Sequence, residues 1–254
     1  MNSFFPNILR DAFGLLVLIA VLAVAVPARG ADNPAACVIL LHGLWRTELS
    51  MKWLQWQLED AGYDTANPTY PSLRYPIEEL AERGVGQGME ECAVHDPAVI
   101  HFVTHSLGGI LVRQYLSQRP IPQLGRVVML GPPNQGSQAA DYVYSVDLLR
   151  PVTPEAVGQL GTGDRSVPRS LGPVNFELGV IAGTESRGGP LLATSAVASD
   201  GTVAVNETLV RGMVDFIELP VGHTFMMWNA EVRDQVIYFL RHGRFNHAEP
   251  PLGR

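Results

Sequence analysis

The chain has 254 residues, 46% of them hydrophobic and 17% charged, which suits one compact domain with a large core and excludes a disordered chain or a coiled coil. A formal net charge of -7, with no basic stripe, gives no electrostatic grip on nucleic acid. Lys52 is the only lysine, which excludes a GxxxxGK[ST] phosphate loop and leaves almost no room for Schiff-base chemistry.

Near the N-terminus, Phe13 to Val26 is an uncharged apolar run of 14 residues, preceded by Arg10 and Asp11. Pro27-Ala28-Arg29-Gly30-Ala31 follows, with small residues where a signal peptidase could cut. The run is shorter than the roughly 20 residues of a membrane span. Residues 1–30 therefore read as a secretory signal peptide, with an uncleaved inner-membrane anchor as the alternative. Either reading places the body, residues 31–254, outside the cytoplasm, as a periplasmic, secreted or anchored protein.

Along that body, strand and helix patterns alternate. This predicts an α/β fold, a mostly parallel sheet with helices on both faces. The first strand is Cys37-Val38-Ile39-Leu40-Leu41, ending in His42-Gly43. A helix carrying Met51, Leu54 and Leu58 follows and stops at Gly62. Tyr63 to Tyr70 reads as a second strand, with Pro68 and Pro71 at its exit. The helix after Pro76 uses Ile77, Leu80 and Ala81, and Gly84, Gly86 and Gly88 weaken its middle. Val99 to Val103 is a strand running directly into Thr104-His105-Ser106-Leu107-Gly108-Gly109, after which a helix carries Ile110, Leu111, Tyr115 and Leu116. Arg126 to Leu130 is the next strand, broken by Gly131-Pro132-Pro133.

Residues 132 to 175 lack clear periodicity and are too long for a simple connection, so a small cap or lid with short helices is expected there. Tyr142, Tyr144, Val146, Leu148 and Leu149 could form an interfacial lid or ordinary cap packing. Leu178 to Ala182 and Val214 to Leu219 are the last strands, and Glu231 to His242 is a closing helix. Cys37 at a strand start and Cys92 near a helix end fall at the same edge of the sheet. A disulfide between them is geometrically conceivable, and two buried free thiols are the alternative.

The chemistry centres on Ser106. A strand, a sharp turn and a helix meet there, as in the G-x-S-x-G nucleophile turn, with Thr104 in place of the first glycine. A serine hydroxyl needs a base. Of the seven histidines, His223 lies in the loop between the last strand and the last helix, which in a parallel sheet opens at the same edge as the nucleophile turn. The base needs a carboxylate, and the order Ser, acid, His favours Asp200, followed by Gly201-Thr202-Val203. Glu185 is the runner-up, and Asp215 sits inside an apolar strand. The oxyanion donors are the backbone N–H groups of Leu107, at a helix start, and Leu44, in the loop after the first strand.

At these residues the chain resembles a bacterial serine esterase or lipase of the α/β-hydrolase superfamily. It is most similar to the glycosylphosphatidylinositol-deacylase-like lipases. The matching segments are Leu41-His42-Gly43-Leu44, Thr104 to Gly109, Gly131-Pro132-Pro133-Asn134-Gln135-Gly136-Ser137, Ser199-Asp200-Gly201-Thr202-Val203 and Gly222-His223-Thr224. The resemblance implies Ser106 as nucleophile, Asp200 as acid, His223 as base, and Leu44 and Leu107 as oxyanion donors. It also implies a small-molecule or lipid ester as substrate and no metal or organic cofactor. Membrane association would come through the N-terminal segment. A thioesterase or acyltransferase uses the same triad, and a non-catalytic scaffold that kept the fold is the reading from another class.

Overall fold

The computed structural model describes residues 35–146, 153–186 and 198–247. The chain divides into two compact units, Met1–Gly30 and Ala31–Arg254. The first unit, which holds the expected leader or anchor, lies outside the described residues, as do Leu148 and Leu149 of the expected cap. No helix among the described residues is long and apolar enough to cross a membrane.

The second unit is built on a six-stranded sheet in the order β2-β1-β3-β4-β5-β6. The strands are β1 (Ala36–Leu41), β2 (Asp64–Ala66), β3 (Val99–His105), β4 (Leu124–Leu130), β5 (Leu178–Gly183) and β6 (Asp215–Leu219). Every pairing is parallel, in register Ile39 to Phe102 and Val103 to Val128, for example. Strand order reverses between β1 and β3, where loops leaving adjacent strands diverge and open a crevice at the carboxyl edge.

Strands of a sheet covered on both faces are apolar at every position, and β1 is buried along its whole length. Its side chains alternate. Cys37, Ile39 and Leu41 join a core with Ile100 and Phe102 beneath α2 (Ile77–Ala93) and α3 (Leu107–Gln118). Ala36, Val38 and Leu40 join the opposite core, with Leu54 and Leu58 of α1 (Lys52–Asp60) and Val236 and Phe239 of α8 (Ala230–His242). The three-layer arrangement follows from that alternation.

Two elements differ from the sequence reading. The second strand is only three residues long, Asp64–Ala66, rather than Tyr63 to Tyr70. It is an edge strand whose exit bends early: Asn67 Nδ2 donates to the Glu48 carbonyl at 3.0 Å, and Tyr70 is buried instead of continuing the ladder. The glycines expected to weaken the second helix do not interrupt it, and α2 runs unbroken for 17 residues. A Cβ at Gly88 would stand 2.5 Å from Ile39 Cγ2, and one at Gly84 would stand 3.0 Å from the Tyr70 ring. Gly88 lets the helix lie close on β1 and Gly84 makes room for the Tyr70 ring, so packing offsets their helix-propensity cost of about 1 kcal/mol each.

Cys37 and Cys92 form a disulfide between the start of β1 and the end of α2, with Cα atoms 5.9 Å apart.

The cap contains α4 (Gln138–Ser145), α5 (Glu155–Leu160) and α6 (Val167–Ser170), and α7 (Val205–Thr208) lies after Asp200. The Gly131 to Ser137 segment ties it down. Asn134, 1% exposed, donates to Thr208 O at 2.8 Å and accepts from Arg113 of α3 at 3.0 Å. Ser137 caps α4 by accepting from Ala140 N–H. Buried Glu207 accepts from Gln138 N–H at 2.8 Å and from Ala204 N–H at 2.9 Å. Burial lifts its carboxyl above the usual range.

Candidate active site

Ser106 follows β3 and precedes α3 with φ 53° and ψ −120°. Positive φ costs a non-glycine residue about 1–3 kcal/mol and persists only where the surroundings over-determine it. Here β3 fixes one side and α3 the other, while Ser106 N–H donates to Leu130 O at 2.9 Å. Close packing is obligatory around the turn: a Cβ at Gly108 would stand 2.5 Å from the backbone oxygen of Leu41. The threonine that replaces the usual first glycine is fully buried, and its Oγ1 lies where a Cβ on Gly109 would meet it at 3.2 Å. Thr104 is thus accommodated by glycine across from it.

Asp200 and His223 come from the loops after β5 and β6. His223 Nδ1 lies 2.7 Å from Asp200 Oδ2. The other carboxylate oxygen accepts from Thr202 N–H at 2.9 Å and Val203 N–H at 2.7 Å. A carboxylate that is 3% exposed therefore has three donors, which offsets its desolvation. An ionised carboxylate only accepts, so His223 presents Nδ1–H to it, and the neutral form of the ring then has its acceptor at Nε2. Gly131 makes room for the pair: at φ 53°, its absent Cβ would stand 2.9 Å from Asp200 Oδ2 and 3.1 Å from His223 Nδ1.

Ser106, His223 and Leu44 line one cavity of about 480 Å³, whose cap-side wall includes Ala140, Val143, Val157 and Leu160. No hydrogen bond joins Ser106 Oγ to His223 among the described residues. Leu107 is the first residue of α3, where N–H groups have no intrahelical acceptor. Tyr142 is 63% exposed, and Tyr144 packs over Gly158 and receives a hydrogen bond from Arg165 at 3.0 Å. Among the described residues, the apolar cap wall is made by Ala140, Val143, Val157 and Leu160, and not by Tyr142, Tyr144 or Val146.

The remaining acids and histidines lie elsewhere. Glu185 lines a neighbouring cavity to which Asp200 and His223 also contribute. Asp215 accepts from Phe245 N–H and from His247, which ties the residues after α8 to β6. His95 faces Asp64, and buried His101 accepts from Arg126 N–H at 2.7 Å. His242 packs on Tyr238.

Two histidines at the site went unassigned in the sequence. His105 Nε2 donates to the His223 carbonyl at 3.0 Å, and the two rings sit 4.6 Å apart. Burial, then the neighbouring His223, push its pKa well below the ordinary value. His42 Nδ1 lies 2.9 Å from Gly43 O, and burial likewise lowers its pKa. No spacing signals either contact, because both acceptors are backbone carbonyls. Among the described residues no cluster of His, Cys, Asp and Glu could hold a metal ion.

No protein-family model and no curated protein matches this chain. Solved structures do. It is similar to a Bacillus licheniformis lipase in its mature form at 19% identity and a TM-score of 0.62, over 83% of this chain and 93% of that one. It is similar to the phospholipase PlaB of Legionella pneumophila at 20% identity and a TM-score of 0.64, over 81% of this chain and 58% of that one. A metagenomic carboxyl esterase matches at 19% identity and a TM-score of 0.58, over 75% of this chain and 65% of that one. None of the three is described as a glycosylphosphatidylinositol deacylase. Together with the parallel sheet, these likenesses establish the α/β-hydrolase fold.

Proposed function

We propose that this chain is a serine hydrolase that cleaves carboxylic esters, acyl or lipid, through an acyl-enzyme on Ser106. The observation that carries the reading is the pairing of a strained serine with a bare imidazole nitrogen. Ser106 sits at positive φ on a strand-to-helix turn, and it shares a cavity with His223, whose other nitrogen is bonded to buried Asp200.

His223 Nε2 takes the Ser106 proton as Oγ attacks the ester carbonyl. Negative charge then gathers on the carbonyl oxygen and is met by the Leu44 and Leu107 N–H groups. Asp200 stabilises the imidazolium and holds its tautomer. The proton passes from Nε2 to the departing alkoxide, the alcohol leaves, and the acyl group stays on Oγ. Water repeats the sequence: Nε2 takes its proton, the hydroxide oxygen bonds to the acyl carbon, and Oγ recovers a proton as the acid departs. Bonds between such a hydroxyl and its base are often long until substrate arrives.

An acyl ester as substrate is supported by the aliphatic cap wall of the cavity and by what the structurally similar proteins are said to be, a lipase, a phospholipase and a carboxyl esterase. Location outside the cytoplasm is supported by the Cys37–Cys92 disulfide, since such bonds persist in oxidising compartments. The apolar leader-like run points the same way.

A fluorophosphonate probe tests the reading. Labelling of the wild type that vanishes in Ser106→Ala, together with hydrolysis of p-nitrophenyl esters across a chain-length series, is expected. An unlabelled and inactive wild type would favour a non-catalytic scaffold. Faster turnover of acyl thioesters than of matched oxyesters would favour the thioesterase reading.

A further inference from the structure

Two buried side chains next to the site have no part in the chemistry above. His42 is fully buried, and Tyr70 is 4% exposed. Their rings stack with centroids 3.9 Å apart and planes 8° from parallel. The Tyr70 hydroxyl donates to the His42 carbonyl, so the tyrosine holds both ring and backbone of the histidine. Neither lines the cavity that contains Ser106 and Leu44.

The tautomer of His42 follows from its partner. Nδ1 faces the carbonyl oxygen of Gly43 at 2.9 Å, and a carbonyl can only accept. Nδ1 therefore carries the hydrogen. Nε2 is buried and has no partner. A buried, unpaired polar atom costs about 1–3 kcal/mol, a cost that a phenylalanine or leucine would avoid if this position served packing alone. Burial keeps the ring neutral, which preserves this arrangement at ordinary pH.

The consequence lies in the next peptide bond. Gly43 C=O and Leu44 N–H belong to one planar trans unit and point in opposite directions. A hydrogen bond that holds the carbonyl toward His42 therefore holds the amide hydrogen away from it. No backbone carbonyl accepts from Leu44 N–H among the described residues. Gly43 itself abuts the nucleophile turn, since a Cβ there would stand 3.1 Å from Ser106 Cβ. We infer that His42, clamped by Tyr70, is a positioning residue that locks the Gly43–Leu44 peptide plane and so aims the Leu44 N–H at the developing oxyanion. This rests on the assignment of Leu44 as an oxyanion donor in the hydrolase reading.

Three variants separate this role from packing. His42→Phe keeps a flat ring against Tyr70 and loses the donor. His42→Asn loses the stack but places an amide N–H near the position of Nδ1. His42→Gln carries the same amide one methylene too far. Each is assayed for kcat and KM on a short p-nitrophenyl ester and for Ki of a trifluoromethyl ketone, whose serine adduct carries an oxyanion. His42→Phe and His42→Gln should lose about 10- to 100-fold in kcat with KM within about twofold, and Ki should rise by the same factor. His42→Asn should recover to within about fivefold of wild type. If His42→Phe does not fold, the Asn and Gln variants carry the comparison. Wild-type kcat and Ki in the donor-less variants, or equal impairment of Asn and Gln, overturns the inference alone. A wild type that neither hydrolyses the ester nor binds the ketone overturns the hydrolase reading and this inference with it.

Discussion

Asp200 and His223 are joined twice, through side chains at 2.7 Å and through His223 N–H to Asp200 C=O at 2.9 Å. The main-chain bond sets the spacing of the two loops, and the side-chain bond sets the imidazole tautomer. Because the carboxylate also receives two backbone N–H groups from Thr202 and Val203, both its oxygens are committed as acceptors.

That commitment makes Asp200→Asn a severe substitution. An amide has one acceptor oxygen. Turned toward Thr202 and Val203, it presents NH₂ to the His223 Nδ1–H; turned the other way, it presents NH₂ to two backbone donors. The first clash is relieved when His223 moves its proton to Nε2, and that removes the base; the second leaves two backbone N–H groups without their acceptor. The variant should lose about 10³- to 10⁴-fold in kcat. Glu185→Gln, in the adjacent cavity, should stay within about threefold. Steady-state assays at matched pH decide it. A nearly silent Asp200→Asn beside a dead Glu185→Gln would move the acid to Glu185.

Three buried histidines make a second prediction, on acid stability. Burial lowers the pKa values of His42, His101 and His105, that of His101 to about 4. In the unfolded chain each binds a proton near pH 6.5. Folded pKa values lie below unfolded ones, so the unfolded state gains protons first. Stability is therefore intact above pH 6.5 and falls as pH drops, for each histidine until its own folded pKa is reached; for His101 the fall is about 1.4 kcal/mol per pH unit down to about pH 4. His101→Asn keeps an acceptor for Arg126 N–H but cannot titrate. Urea unfolding between pH 7 and pH 4 should show a shallower decline for the variant than for wild type, by about one proton. Parallel curves would show that His101 does not contribute.

The sheet and the pairing of Asp200 with His223 were legible in the sequence for a physical reason. Apolar runs such as Cys37 to Leu41 are what strands covered on both faces require, and a serine between strand and helix is a local signal. Gly84 and Gly88 misled because a glycine that fits a packing notch and one that breaks a helix look alike until Tyr70 and Ile39 are placed against them. The three-residue β2 was over-read for a similar reason: Tyr70 is apolar because it packs beside His42, not because it extends a strand. The His105 contact could not be read at all, since its acceptor is a carbonyl 118 residues away. The cap gave no periodicity because polar side chains, rather than an apolar stripe alone, hold it.

Arg113 is the chief of those side chains. It lies buried on α3, and its guanidinium donates to Asn134 O at 3.1 Å, Asn134 Oδ1 at 3.0 Å, Pro168 O at 3.1 Å and Gly172 O at 2.7 Å. None of these acceptors is a carboxylate, so burial lowers its pKa, to about 10, yet it stays charged at neutral pH. Only a planar fork of donors can serve so many oxygens at once. Arg113→Met should leave them buried without donors and cost about 3 kcal/mol or more. Arg113→Lys, with one compact ammonium, should recover part of that. The loss should appear first in the cap: limited proteolysis should cut between residues 138 and 172 well below the temperature at which the sheet unfolds. Because the same cap helices supply Val143, Val157 and Leu160 to the cavity wall, KM for long acyl esters should rise with the loosening while kcat on the shortest ester changes little. A variant that resists protease like wild type would mean that the cap does not depend on α3 for its hold.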